Sequence, residues 1–546
     1  MRVLLISIKS DLEGGYPAAH LGFYRIGTYL RDNGIDVDVA DLEIDDLAVF
    51  LERLRRGHYD AIGFSVSNYE MEKDLDLLWA CKEASKQSPK RCLMIAGGQQ
   101  AVLNRDQWLE ECGIDLSILG YGERPMLEVC QRYKDHPDAE IPELCEGILG
   151  TAYIDNDGKL IAQPQPSLTQ EEFEFLNHER MLEADIPYER YWEHNEKRIK
   201  SLDFNQVNFR IRNIRMYTTS HCPLRCAFCS SQYFNPAAQE TKAQKIVMLS
   251  SEQIHELILH LYRKHKANSF FFGSDNFIIT NYGRTRAKEF CQLVIQSKKL
   301  GELPEDVVFH CMARVDSFML ARGENRVFDH EMIHLMKQAG FVNVSTGVET
   351  FSDRLLRAPS INKLNISSED NITAIETLLA AGLTPQILLI LGIPETTEED
   401  LMFTMKVAAD FILKGAQVGT TSVLFADPGA PVTTDKRYSY NHREWKNPYT
   451  GQIIKINDKI LPFDPKIKGI IHKIDDASEI EMARMREGTP WEEGILPKFF
   501  VGLAQFVAIS KLLNNEEMVE HFEGVFQKVC TLNSPDIQEE LEVLSQ

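Results

Sequence analysis

Short apolar runs alternate with stretches of helical spacing from the first residues of the chain. Val3 to Ile8 is an apolar run, and Leu21 to Arg31 has helical spacing that stops at Asn33-Gly34. The pattern then predicts strands at Val37–Val39, Ala61–Val66, Cys92–Ala96 and Leu116–Leu119, with helices at Leu47–Leu54 and Glu72–Ser85. Such alternation is the mark of a parallel, doubly wound sheet of the flavodoxin or Rossmann kind. Small residues gather where its strands end: Ser65 and Ser67, Gly97-Gly98-Gln99, and Gly120-Tyr121-Gly122-Glu123. Ligands of such sheets bind beyond the carboxyl ends of the strands, although close turns alone also select glycine.

Between residues 150 and 206 the periodicity fades and Pro, Glu and Asn accumulate, which predicts a connecting segment with short helical pieces. Alternation resumes at Ile211. Strands are expected at Ile211–Tyr217, Ser269–Phe272, Val307–Met312, Val342–Val348, Gln386–Leu391 and Thr420–Phe425, with helices between them. Six repeats over residues 207–432 suit a partial (β/α)6 barrel, too few for a closed eight-stranded one. Residues 433–546 open on RYSYNHREWKNPY and continue into PKFFVGLAQFVAISKLL, expected to form a small, mainly helical domain closing the barrel mouth. The N-terminal α/β domain then spans residues 1–149.

Length, charge and cysteine usage narrow the function. A chain of 546 residues exceeds one core. Its formal charge of −22 argues against a nucleic-acid partner, which needs a basic surface. The longest apolar stretch, Phe499 to Leu513, is broken by Gln505 and Ser510 and falls short of the ~18 residues of a membrane span. Eleven cysteines and a start without signal-peptide character fit a cytoplasmic location.

Three of the cysteines carry the chemistry. In YTTSHCPLRCAFCSS, Cys222, Cys226 and Cys229 stand at C-x3-C-x2-C directly after a strand, with no fourth cysteine nearby. Cubane iron–sulfur clusters normally take four thiolates, so three leave one iron open. Zinc would need a fourth ligand, and His221, adjacent to Cys222, is badly placed for tetrahedral geometry. The other eight cysteines are expected to be mostly buried structural thiols.

This stretch, with Phe228 before the last cysteine, resembles the signature of the radical S-adenosylmethionine (radical SAM) enzymes. The resemblance implies a [4Fe–4S] cluster that chelates SAM and releases a 5′-deoxyadenosyl radical, with an external electron donor such as flavodoxin or ferredoxin. It also assigns SAM contacts to strand ends: Gly273, Ser274 and Asp275 for the amino group, Arg314 for the carboxylate, and Glu349 for the ribose or methionine part. Ile390, Gly392 and Glu395 resemble the adenine strand, although Leu388 stands where Gly is usual. An α/β domain ahead of such a barrel, with GGQQ and GYGERP, resembles the cobalamin-binding radical SAM class. Cobalamin would then lie on Ser65, Ser67, Gly97, Gly98, Gln99, Gly120, Tyr121, Gly122 and Glu123. The D-x-H-x-x-G hexapeptide that supplies a cobalt-ligating His in many cobalamin proteins is absent. His20 lacks that spacing, so cobalt is expected without a protein imidazole.

By resemblance, the expected reaction moves a methyl group from SAM through methylcobalamin to an unactivated carbon, or phosphorus, of a small biosynthetic substrate. Tyr438, Tyr440, His442 and Trp445 are the substrate-pocket candidates. Two alternatives stay open: non-methylating cyclisation, ring contraction or oxidation, and a non-catalytic cobalamin sensor or carrier.

Overall fold

The computed structural model describes residues 1–9, 19–183, 185–199, 211–239, 245–321, 326–489 and 496–532. The expected boundary between residues 206 and 207 lies outside them. Strands β1 (Arg2–Ser7), β2 (Asp36–Asp41), β3 (Ala61–Ser65), β4 (Leu93–Gly97) and β5 (Leu116–Ile118) form a parallel sheet in the order 2-1-3-4-5. That order is flavodoxin-like, with its switch point between β1 and β3. Both faces are buried, Val3, Leu5 and Ile95 on one side and Leu4, Ile62 and Phe64 on the other. Burial on both faces explains why these strands read as apolar runs rather than alternations.

The sheet does not stop where the connecting segment was expected to begin. Strands β6 (Thr151–Ile154) and β7 (Leu160–Gln163) extend it antiparallel from β5. Their turn is built by the Asp155 carboxylate, which accepts from the amides of Asp157 (3.0 Å) and Lys159 (2.8 Å). The helices Gln170–Leu176, Glu179–Glu183 and Tyr188–Ile199 are the expected helical pieces.

The second sheet holds β8 (Asn213–Met216), β9 (Ser269–Phe272), β10 (Val308–Arg314), β13 (Phe341–Glu349), β14 (Thr384–Gly392) and β15 (Gln417–Val423) in consecutive parallel order. A small antiparallel pair, β11 (Met319–Ala321) and β12 (Val327–Phe328), interrupts the chain after β10. The last strand begins three residues before the expected Thr420, because its apolar signal starts late. Ser250 caps the helix Ser251–His265, its hydroxyl accepting from the Gln253 amide at 3.2 Å. Alternate residues Phe270, Phe272, Cys311, Ile387, Leu389 and Val418 face the surrounding helices and are buried. On the inner face Arg215 and Tyr217 are exposed and Phe271, Met312 and Leu388 half-buried, while His310, Ser345 and Gln386 are buried. The inner face is therefore only partly filled, unlike the packed interior of an eight-stranded barrel.

The C-terminal part gains an unexpected hairpin, β16 (Tyr440–Lys446) and β17 (Ile453–Ile460), ahead of its four helices. The hairpin docks on the first domain, where Trp445, Ile454 and Ile456 join the core beside Leu75 and Trp79. The helix Lys498–Leu512, apolar nearly all round, packs through Gly502 on Val418 of β15. It flanks the β15 edge instead of roofing the mouth, because an edge strand needs cover. Among the described residues no helix is long and apolar enough to cross a membrane.

Candidate active site

The cysteine loop leaves β8 and is pinned at its base by a buried guanidinium. Arg286 donates to the carbonyls of Thr218 (2.9 Å), Leu249 (3.1 Å) and Phe277 (2.9 Å). Burial pulls its pKa down to about 10, the cost of a charge met only by carbonyl dipoles and the Phe277 ring. Further along, the Ala227 amide donates to Ile361 O (3.2 Å), and Asn362 Nδ2 donates to Arg225 O (2.9 Å). Asn362 adopts φ 60°, a left-handed conformation that Asn tolerates better than most residues.

Burial takes Cys222 up to about 12 and Cys229 up to about 11, and the neighbouring thiols add to both shifts. Such thiols stay protonated near neutral pH unless a bound metal ion ionises them. Arg314 reaches Cys226 Sγ at 3.9 Å. The donor set thus fits a [4Fe–4S] cluster held by three cysteines, and Asp275 lies near enough to add to the shifts of Cys222 and Cys229. The Asp275 carboxyl faces the cleft, and desolvation holds its pKa above the usual range. Among the described residues no three His, Cys, Asp or Glu side chains form a single-ion site.

The remaining SAM candidates fall at the ends of the barrel strands, in varied circumstances. Gly273 is packed so closely that a Cβ would lie 3.2 Å from Arg215 Cγ and 3.3 Å from Tyr217 Cε1. Ser274 is occupied internally, accepting from the Thr218 amide at 2.9 Å. Arg314 is bound bidentately by Asp316 (2.9 and 2.7 Å), which leaves one nitrogen toward the cluster loop. Glu349 adopts φ 64° and pairs with buried Lys363 at 2.6 Å. Lys363 also donates to Gly347 O at 2.6 Å, so one amine fixes the whole strand end. Glu395, beyond Ile390 and Gly392, accepts from Tyr438 Oη (2.8 Å) and from the Ser360 hydroxyl. Phe228 rests against the apolar cluster of Ile390 and Tyr438.

Across the cleft stand the glycine-rich ends of the first sheet. Gly98 (φ 89°) and Gly120 (φ 77°) need left-handed backbone, and a Cβ on Gly120 would fall 2.3 Å from Gln165 Oε1. Gln165 cradles Tyr121, accepting from its amide (2.9 Å) and donating to its carbonyl (2.5 Å). Glu123 forms a buried pair with Arg25 at 2.9 Å. Ser67 is tied back to its own helix, its amide donating to Asp74 at 2.8 Å, while Ser65 Oγ lies against Gly98.

Both sets meet directly. The Gln99 amide donates to the Ser230 hydroxyl, one residue after Cys229, and Tyr121 Oη donates to Ser220 O at 3.4 Å. Between them lies a cavity of about 350 Å³, lined by Gln99, Gly120 and Tyr121 on one side and Ser220, His221, Ser231 and Asp275 on the other.

The four substrate candidates are dispersed. Tyr438 serves Glu395, the Tyr440 ring lies tilted against that of exposed His442 at 5.2 Å, and Trp445 donates its indole N–H to Asp76 at 2.8 Å inside the first domain's packing. Trp445 is therefore a docking anchor and not part of the cleft. His20 lies at the start of the helix Leu21–Asp32, stacked on Phe23, and burial lowers its pKa. Sequence reasoning missed Arg25, Arg286 and Lys363, whose neighbours in the chain carry no motif.

Residues 216–408 match the radical SAM superfamily, and residues 12–130 match the B12 binding domain. The chain thus joins a B12 binding domain to a radical SAM domain, and these imply a [4Fe–4S] cluster, SAM and cobalamin as cofactors. It is similar to an anaerobic magnesium-protoporphyrin IX monomethyl ester cyclase of Rubrivivax gelatinosus, at 24% identity over 75% of this chain. The match spans 66% of that protein, just under two thirds of its length. An uncharacterized methyltransferase, PH0819 of Pyrococcus horikoshii, is 22% identical over 73% of this chain and 74% of its own. Two solved structures share the fold. One is the cobalamin-dependent SAM radical enzyme OxsB with aqua-cobalamin and SAM, at TM-score 0.63 and 16% identity over 99% of this chain and 80% of that one. The other is the radical SAM methyltransferase TsrM of Kitasatospora setae with cobalamin and a [4Fe–4S] cluster, at TM-score 0.61 and 14% identity over 96% and 99%.

Proposed function

We propose that the enzyme transfers a methyl group from SAM, by way of cobalamin, to an unactivated carbon or phosphorus of a small molecule. The observation that carries this reading is the shared cavity, where the cobalamin-side loop at Gln99 and Tyr121 meets the cluster loop at Ser220 and Ser230. When bound, the cluster with SAM supplies a hydrogen-abstracting radical, and cobalamin supplies a methyl carrier.

The chain's part is to position and enclose. Cys222, Cys226 and Cys229 would hold the cluster, and Arg286 would fix their loop against β9. Asp275, Glu349 and Glu395 would present carboxylates to SAM, with Lys363 pairing with Glu349 and holding it in place. Gly98 and Gly120 would supply the left-handed turns that shape the first domain's strand ends facing the corrin. A reactive carbon must come within roughly 3–3.5 Å of each partner, which a cavity shared by both loops allows. The reductant is expected to be a small electron-transfer protein. Eleven cysteines, none in a disulfide, support a cytoplasmic setting.

Cyclisation is the second reading, favoured by the relative from Rubrivivax gelatinosus, whose name is that of a cyclase. SAM carrying a deuterated methyl group separates the two. Deuterated product, with 5′-deoxyadenosine and S-adenosylhomocysteine both accumulating, is the expected outcome. Substrate turnover with deoxyadenosine alone would replace methyl transfer by the second reading.

A further inference from the structure

The inner face of the barrel carries two cations that no carboxylate among the described residues answers. Tyr217, Gly273, Met312, Ser345 and Gln386 share one row across β8 to β14, with Phe271 and Arg215 in the row below. Arg215 is exposed toward the lumen, its guanidinium 5.5 Å from the Phe271 ring, and it has no ion pair. Lys498, the first residue of the helix Lys498–Leu512, enters past the β15 edge and donates to Gln386 Oε1 at 2.9 Å. Gln386 Oε1 also accepts from Ser345 Oγ at 3.0 Å, so the amine meets only neutral groups. Desolvation brings the Lys498 pKa down to about 8 with no carboxylate opposing it.

In a chain with 81 acidic and 59 basic residues, two lumen cations without an acidic partner among the described residues need a reason. Lys498 is the desolvated one of the two, and a desolvated charge without a counter-charge costs stability unless a ligand completes it, whereas Arg215 is exposed. Gly419 adds room beside them, since a Cβ there would fall 3.1 Å from both Gln386 Nε2 and Leu388 Cδ2. Between the cations the face presents the apolar side chains of Phe271, Met312 and Leu388 together with polar Ser345 and His310. Tyr217, in the same row as Gln386, also lines the interdomain cavity.

We infer that the substrate is an anionic, partly apolar small molecule whose carboxylate or phosphate groups bind Arg215 and Lys498 inside the barrel. This rests on the cavity's being the reaction site. The apolar portion then lies along Phe271, Met312 and Leu388, and the reacting atom points up past Tyr217 toward the cofactors. Arg215 and Lys498 are specificity residues, each supplying charge-assisted hydrogen bonds to an acid group.

Isothermal titration calorimetry on the reconstituted holoenzyme, without reductant, tests this with three probes: azelate, hexyl phosphate and the neutral diamide of azelate. At least one acid should bind tenfold or more tightly than the diamide, and the acid that does so tells carboxylate from phosphate. The double variant Arg215→Gln/Lys498→Met should lose at least tenfold of that affinity while its SAM dissociation constant and cobalamin content stay unchanged. Lys498→Met alone should melt at or above the parent temperature, because it removes an unpaired charge. Acids binding no better than the diamide, a double variant binding them as well as the parent, a tenfold loss of SAM affinity, or a lower melting temperature for Lys498→Met would each overturn the inference. No arm requires turnover, so failure of the methyl-transfer assay is a separate result.

Discussion

Lys363→Met is the most informative single perturbation at the SAM side of the cleft. Its amine pairs with Glu349 at 2.6 Å and holds Gly347 O at 2.6 Å, and the two side chains are only 1% and 9% exposed. Removing one partner of a buried pair leaves the other charge uncompensated, at a cost of about 3–5 kcal/mol. Glu349 also carries left-handed backbone strain of about 1–2 kcal/mol, which the ion pair helps to impose. Part of that strain is released in the variant, so a net loss of about 2–4 kcal/mol is expected. In a domain of this size that lowers the barrel's melting transition by roughly 10 °C, read by differential scanning calorimetry. The double variant Lys363→Met/Glu349→Gln removes both charges and should recover most of the stability. Its SAM affinity should nevertheless fall tenfold or more, since a charge-assisted hydrogen bond contributes about 1.5–3 kcal/mol. A single variant within about 1 kcal/mol of the parent would refute the coupling on which this rests, as would a double variant no more stable than the single.

Replacing Cys222, Cys226 and Cys229 together by Ala should abolish the brown absorbance and the cluster iron; a full iron complement would reassign the site to other thiols. Gly120→Ala forces a side chain into left-handed backbone and onto Gln165, a strain of about 1–2 kcal/mol before the overlap is counted. Purified protein should carry severalfold less cobalamin by its visible spectrum, with partial rescue by Gln165→Ala. Asp427, which accepts from Asn68 Nδ2 at 3.2 Å across the domain contact, has its pKa raised from 3.8 to about 6 by burial. A raised carboxyl pKa means the folded state holds its proton longer than the unfolded state. Stability from this group therefore falls as pH rises from about 4 to about 6 and stays reduced above, by at most about 3 kcal/mol. Asp427→Asn should accordingly melt higher than the parent at pH 7 and lose that pH dependence, whereas a lower melting temperature at pH 7 would contradict the assignment.

The chain's own order of residues determines what is local. Three cysteines within eight residues define the cluster loop wherever that loop sits, because a ligand set this close in sequence needs no distant partner. Apolar runs, helical spacing, the Ser250 cap and the glycine stops at strand ends are equally local, and the two successive α/β patterns followed from them. The hairpin β6–β7 was within reach, since Asn156-Asp157-Gly158 separates two short apolar runs, but the surrounding prolines and glutamates masked it.

What only the tertiary structure decides is which distant residues complete these local pieces. Arg286 reaches Thr218 across 68 residues, Lys498 reaches Gln386 across 112, and Gln99 reaches Ser230 across 131. Trp445 looks like a pocket aromatic in sequence and becomes a docking anchor in the fold, because its indole finds Asp76 on a different domain. A buried charge or hydrogen-bonding group is stable only where its partner is, and that partner is set by packing and not by sequence distance. The facing of the two sheets, the partly filled lumen and its two cations are for this reason properties of the folded chain alone.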